Sequence, residues 1–239
     1  MNILIAGGAG YLGGAVTDIL LNTNHNIMVY DNLLYEETYR KPVPFTYGDI
    51  RDTKKLKKSL EWADVVIWLC ALVGDQACEI DKPLAKEINT DSLIFLKDNF
   101  KGKIIFTSTC SAYGASDGFL TETSKLNPLS HYAQTKIGAE KILSNVNALI
   151  FRLGTLYGIS DNFSRLRTDL VLNTLVFHAY AKGKISVFGG KQYRPLVHVR
   201  DIAEIICQSV DKKNRGIYNV AKDNVTILDL AKLIEKEFE

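Results

Sequence analysis

Two groups of residues in this chain have the types and spacing needed to move a proton. Tyr132 and Lys136 stand four apart, so on a helix both side chains face the same way. A hydroxyl cluster, Thr107-Ser108-Thr109-Cys110-Ser111, follows the apolar run Ile104-Ile105-Phe106. An ammonium at Lys136 favours phenolate at its neighbour and lowers the tyrosine pKa toward neutrality. Thr109, just beyond the end of a strand, can hold a substrate oxygen while Tyr132 takes the proton. Either pattern alone is common by chance, and an amphipathic helix with a surface lysine also explains Tyr-x-x-x-Lys.

A third group supplies the hydride partner. Gly7, Gly10 and Gly13 form G-x-x-G-x-x-G directly after Ile3-Leu4-Ile5-Ala6. The first lets the chain turn, the second lets backbone approach a pyrophosphate, and the third permits close helix–strand packing. Tyr11 and Leu12 open the following helix, whose N-terminus offers free N–H groups to phosphates. Asp31, 18 residues past Gly13, ends the next strand, with Asn32 beside it. An acidic group there accepts hydrogen bonds from ribose hydroxyls and repels a 2′-phosphate. No Arg follows it at once, so NAD is favoured over NADP. Asp49 and Ile50 can flank the adenine, though Asp49 serves equally well as an Asx-turn residue.

These side chains need a scaffold that aligns strand ends. Short apolar runs (3–6, 27–30, near 45, 65–69, 104–106, 148–151) alternate with helical patterns at 12–21, 54–62, 85–95 and 132–146. Continuous apolar strands separated by helices predict an α/β fold with a doubly wound parallel (Rossmann) sheet. After about Arg152 the rhythm loosens. A polar stretch over 154–168 reads as a loop near the ligand. A helix over 169–182, a strand around 185–188, a helix capped by Asp201, a strand at 218–220 and a helix opened by Thr226 follow.

At 239 residues the chain fits one medium domain, or a large domain with an appendage. A net charge of +2 gives no field to recruit nucleic acid or an anionic membrane. The lysine-dense stretch 54–58 reads as a solvated helix face. The longest apolar stretch is too short to span a bilayer, and four cysteines without CxxC spacing read as reduced thiols. The N-terminus enters a strand with no basic leader, so a cytoplasmic location is expected. His131 and His198 lack metal-ligand spacing, and no metal is expected. Cys110 has no partnered histidine to activate it, and Glu122 reads as a polar loop residue.

The chain resembles the extended short-chain dehydrogenase/reductases, in the NAD-dependent epimerase/dehydratase group that acts on nucleotide sugars. The resemblance runs the whole chain and rests on GGAGYLG, DNL at 31–33, GDIRD at 48–52, TSTCSAYG at 107–114, YAQTK at 132–136 and VFGGKQYRPLVHVRDIAE. It implies that Thr109, Tyr132 and Lys136 are the catalytic set. It places Asp31 at the ribose, Asp49 and Ile50 at the adenine, Ala71 along the cofactor and Asn89 near the catalytic lysine. Arg194 matches an arginine that meets a substrate phosphate, and Thr155 is a further substrate candidate. The stretch 165–170 resembles a subgroup in which Arg165 or Arg167 would reach the diphosphate; a solvated loop charge explains them as well. Dehydratases of the group carry Asp-Glu after the threonine, whereas Cys110-Ser111 stand here, which argues against 4,6-dehydration.

Two units are expected: an NAD-binding domain over 1–155, and a small, truncated C-terminal substrate lobe over 156–239 that interleaves with it through the helix near 201–212. Relatives continue past the last helix with further strand and helix. The implied activity is oxidation and epimerisation of a nucleotide-diphosphate sugar at a ring hydroxyl, at C4, through a keto sugar. A net 4-dehydrogenase or 4-ketoreductase uses the same triad. A non-catalytic NAD-binding sensor or scaffold is the reading from another class. The resemblance also implies a homodimer, for which the apolar positions on the 132–146 helix leave room.

Overall fold

The computed structural model describes residues 1–116 and 118–238. Strand β1 (Asn2–Ala6) leads through the glycine turn into α1 (Tyr11–Leu20), then β2 (Asn26–Asp31), β3 (Phe45–Tyr47), α2 (Thr53–Trp62) and β4 (Val65–Trp68). Next come α3 (Asp75–Ile80), α4 (Lys82–Lys86), a π-helical turn (Glu87–Asp91) and α5 (Ser92–Asn99). Strand β5 (Lys103–Thr109) runs into a 3-10 turn (Cys110–Tyr113), and α6 (His131–Leu143) precedes β6 (Ala148–Leu153). The remainder is β7 (Thr155–Tyr157), α7 (Val171–Lys182), β8 (Tyr193–His198), α8 (Val199–Ser209), β9 (Gly216–Val220), β10 (Asp223–Thr226) and α9 (Ile227–Phe238).

Seven parallel strands form the main sheet in the order β3-β2-β1-β4-β5-β6-β9. Alternation along each strand feeds two cores, as a sheet covered on both faces requires. Ile3, Ile5, Val65 and Ile67 pack with Val16 of α1 and Ile202 and Ile206 of α8. Leu4, Ala6, Val66 and Trp68 pack with Leu56 of α2, Leu96 of α5 and Leu143 of α6. A three-stranded sheet (β10-β8-β7) with α7 and α9 encloses a small third core of Leu175, Leu196, Ile227, Leu230 and Ile234. Both β9 and α8 lie beyond residue 155 in sequence yet join the large sheet and its cover. No helix among the described residues is long and apolar enough to cross a membrane.

Several local expectations need correction. No strand forms at 185–188; positive-φ Gly183, Gly189 and Gly190 bracket it, and the strand lies at Tyr193–His198 instead. The helix expected over 85–95 forms within a helical stretch over 82–99, but its middle is a π turn. There Asn89 reaches across to the backbone of Leu72, and Thr90 donates to the carbonyl of Thr135, so side-chain partners displace regular helix. His198, not Asp201, caps α8: its Nδ1 accepts from the Arg200 N–H, and Asp201 falls inside the first turn. The α7 helix starts at Val171, because Asp169 is engaged by Arg167. On α6, Ala133, Ile137, Ala139 and Leu143 are buried within the single chain and Ile142 is partly buried.

Candidate active site

The order of strands reverses between β1 and β4, and ligands of such sheets bind beyond the strand ends at that point. A cleft of about 430 Å³ opens there, within the usual size for a small-molecule site. The glycine turn forms its floor. Gly7 has φ +85°, and a Cβ on it would meet the Cys70 nitrogen at 2.6 Å. A Cβ on Gly13 would meet the Cα of Gly8 at 2.6 Å. Helix α1 thus begins hard against β1 and β4. Gly10 is its N-cap, no side chain caps it, and no acidic residue lies in its first turn. That bare positive helix end facing a cleft fits a pyrophosphate.

Asp31 stands at the wall beside this floor. Its carboxylate accepts from the Ala9 N–H at 3.0 Å and from the Leu33 N–H at 2.8 Å, which ties the acid to the turn. Burial pushes its carboxyl pKa up, opposed by these backbone donors. Asp49 has both features expected of it. It lines the cleft with Ile50, and its Oδ1 accepts from the Arg51 N–H at 2.8 Å as an Asx turn. The Arg51 guanidinium also grips that carboxylate and holds its pKa below the usual range. Asn32 and Ala71 complete this wall.

The residues expected to move the proton, Thr109, Tyr132 and Lys136, line the cleft further along. Thr109 ends β5, and its Oγ1 accepts from the Ser111 N–H at 3.1 Å, leaving its own O–H free to donate. Tyr132 enters the cleft from the first turn of α6, capped by Ser130, and Lys136 follows one turn later. The Lys136 Nζ lies 4.2 Å from the centroid of the Phe106 ring. Burial drives the Lys136 pKa down to about 7, with the Glu140 carboxylate opposing. In the chain alone, Tyr132 is not yet a near-neutral phenol, the state expected of it beside both an ammonium and an oxidised nicotinamide. Burial pushes its pKa above the ordinary tyrosine value, and the cation opposing this is Arg167. Desolvation outweighs the charges because the phenol sits in a largely dry wall.

The end of the cleft where substrate contacts were expected is lined by residues between 154 and 170. Thr155, Arg165 and Arg167 all line the cleft. Asp169 grips Arg167 through two hydrogen bonds of 2.7 and 2.6 Å, so its guanidinium is fixed. Arg165 lies 4.3 Å above the Tyr35 ring, and its N–H donates to Glu36 Oε1 at 2.6 Å. Two of the candidates stand apart from the cleft lining. Asn89 is buried behind it, its amide bridging the Leu72 backbone and Thr135. Arg194 is exposed on β8, and its charge acts on the thiol of Cys110, whose pKa burial raises. Glu122 bonds the Asn219 N–H at 2.7 Å and so ties its loop to β9. The sequence reading missed Tyr35, Glu36 and Asp75, which also line the cleft. Asp75 carries a detectable signal, an acid just past Gly74 at the end of the β4 loop; Tyr35 and Glu36 carry none.

The NAD dependent epimerase/dehydratase family model matches residues 3–221. The chain belongs to that family. Membership makes NAD its cofactor, and the turn, the open helix end and Asp31 are the features of this chain that fit it. The UDP-glucose 4-epimerase of Lactobacillus helveticus is 27% identical over 272 residues, covering 98% of this chain and 82% of the relative. A solved UDP-glucuronic acid 4-epimerase from Bacillus cereus, in complex with UDP-glucuronic acid and NAD, is 26% identical with a TM-score of 0.84. That match covers 99% of this chain and 82% of the other. The fold alone is shared with the NDP-hexosamine 5,6-dehydratase TunA, at 21% identity and a TM-score of 0.86 over 99% of this chain and 81% of that one.

Proposed function

We propose that this protein is an NAD-dependent epimerase that inverts a ring hydroxyl, at C4, of a UDP-type nucleotide sugar. The observation carrying the reading is the convergence of Thr109, Tyr132 and Lys136 on one cleft with the glycine turn and Asp31. Bound NAD supplies the acceptor, and later the donor, of the carbon-bound hydride. Thr109 donates its hydroxyl hydrogen to the substrate oxygen and keeps it in line with Tyr132. Tyr132, as phenolate, takes the hydroxyl proton and returns it to the same oxygen after the keto sugar has turned over. Arg167 opposes the burial that disfavours that phenolate, and an ammonium at Lys136, one turn along the same helix, is assigned the same role. Arg167, fixed by Asp169, and Arg165 are the cations for the substrate diphosphate.

Dehydration fits this site less well. The two positions after Thr109 hold Cys110 and Ser111, and burial raises the Cys110 thiol, so neither supplies a carboxylic acid. The homodimer remains part of the proposal. Exposed Ile80 and Ile94, on helices packed near α6, are apolar positions open to a second copy.

The test is to purify the protein, identify nucleotide released on denaturation by mass spectrometry, and follow UDP-glucose and UDP-glucuronic acid by NMR. The expected result is tightly retained NAD and interconversion of the C4 epimers without net NADH. NADH formed stoichiometrically with a keto sugar would replace epimerase by dehydrogenase; loss of the 6-hydroxyl from UDP-glucose would replace it by dehydratase.

A further inference from the structure

Beneath the cleft lies a buried polar cluster that the proposed reaction does not use. Glu140 of α6 is 4% exposed and Arg152 of β6 is 3% exposed. Arg152 Nε donates to Glu140 Oε1 at 3.0 Å, and its Nη2 donates to Oε2 at 2.6 Å. Ser108 donates its hydroxyl to Glu140 Oε1 at 2.5 Å. The other guanidinium nitrogen donates to the Tyr113 hydroxyl at 2.8 Å, and Tyr113 donates to Asn219 Oδ1 at 2.6 Å. Ser108, Arg152 and Asn219 are register partners across β5, β6 and β9, one residue below the strand ends.

The cluster therefore joins the two halves of the catalytic set. Ser108 immediately precedes Thr109, and Tyr113 closes the turn after it. Glu140 is one helical turn beyond Lys136 and two beyond Tyr132, on the face of α6 turned to the sheet. Isolated buried ion pairs seldom add stability, because desolvation consumes the Coulombic gain. A buried carboxylate so placed needs another reason to be there. Resting on the epimerase reading above, we propose that Glu140 is a positioning residue: clamped by Arg152 and Ser108, it keeps the Lys136 side chain an ammonium and locks the Tyr132–Lys136 helix in register with Thr109.

The surroundings of Lys136 support this assignment. The groups acting on it, after burial, are Glu140 on its own helix, Cys70 beyond β4 and Cys78 on α3. Burial raises both thiols, so they carry no charge at neutral pH. The Phe106 ring from β5 and Asn89 from the π turn are uncharged. On α3, α4 and the π turn, Glu79, Lys82, Lys86 and Glu87 are exposed, Asp91 is paired with Lys86, and Asp75 faces the cleft. Glu140, whose far side faces the buried Arg152 cation of β6, is thus the carboxylate that opposes desolvation of Lys136.

Glu140→Gln keeps the shape and most hydrogen bonds but removes the charge. Its test is the Lys136 pKa, read by NMR of lysine labelled at Cε, together with the pH profile of turnover. The expected result is a pKa lowered by about one unit, the usual effect of losing a nearby opposite charge, with the alkaline limb of turnover moved down in pH by the same amount. Because Gln leaves Arg152 buried and unpaired, the double variant Glu140→Gln/Arg152→Gln is measured beside it and shifts Lys136 in the same direction. A folded variant whose Lys136 pKa is unchanged overturns the proposal. The NMR readout needs no substrate, so a missing epimerase activity would sink the reaction assigned above and leave this one standing or falling by itself.

Discussion

Around the glycine turn the cleft is made of backbone, whereas at residues 154–169 it is made of long side chains. On the first wall, Gly7 and Gly13 allow no Cβ, the helix end is bare, and Asp31 is held by two backbone N–H groups. On the second, Arg167 is held by the carboxylate of Asp169, and the Arg165 guanidinium rests on the Tyr35 ring while its backbone N–H donates to Glu36. A backbone site tolerates almost no change in volume but recognises one geometry, suited to a ligand that stays. A side-chain site can be re-specified one residue at a time, suited to a ligand that varies between relatives.

The largest effect is expected where the two walls meet. Tyr132→Phe removes the proton carrier without altering either wall, so turnover should fall about a thousandfold or more, within the range for a lost acid–base group. NAD affinity, read by fluorescence titration, should stay within a few-fold of the original. A variant that retains full turnover would show that Tyr132 merely lines the junction.

Next in size is the backbone wall. Gly13→Ala puts a methyl group onto the Gly8 backbone, which cannot retreat as a flexible side chain would. Overpacking of this kind costs about 2 kcal/mol, and the helix end must move away from the phosphates. Thermal melting should shift down, and NAD affinity should drop by more than the loss of stability alone implies. Unchanged binding would mean that the close approach of α1 to β1 is not what shapes the site.

The same contrast explains how much was legible in sequence. β1, α1, β2 and β5 were readable because parallel strands buried on both faces are runs of apolar residues, and the glycine spacing states where backbone must come close. The π turn was not readable, since it is set by Asn89 meeting Leu72 and Thr135, partners remote in sequence. Residues 185–188 looked like a strand by composition, but the glycines around them take positive φ, and Ile185 and Val187 pack on a small core while Phe188 is exposed. Tyr132, Lys136 and Thr109 stood out by spacing, but the burial around the first two did not. Burial is a tertiary quantity, and it is the largest influence on both Tyr132 and Lys136. Arg165, Arg167 and Arg194 look alike as letters; only the folded chain separates a fixed, a stacked and an exposed arginine.

That separation gives the smallest effects and the finest test of the comparison. Arg167→Met should raise KM for the nucleotide sugar roughly tenfold or more, since a charge-assisted hydrogen bond is worth about 1.5–3 kcal/mol. It should also slow turnover, because the same guanidinium opposes the burial of Tyr132. Arg165→Met should raise KM only a few-fold and leave turnover unchanged, because an arginine stacked on Tyr35 near solvent loses less on removal. Arg194→Met, outside the cleft lining, should change neither unless the lobe moves over bound substrate. Steady-state kinetics on the three variants rank them. If Arg165 proved the stronger determinant, the diphosphate would lie on the Tyr35 side of the cleft, and fixation by Asp169 would serve the phenol rather than the substrate.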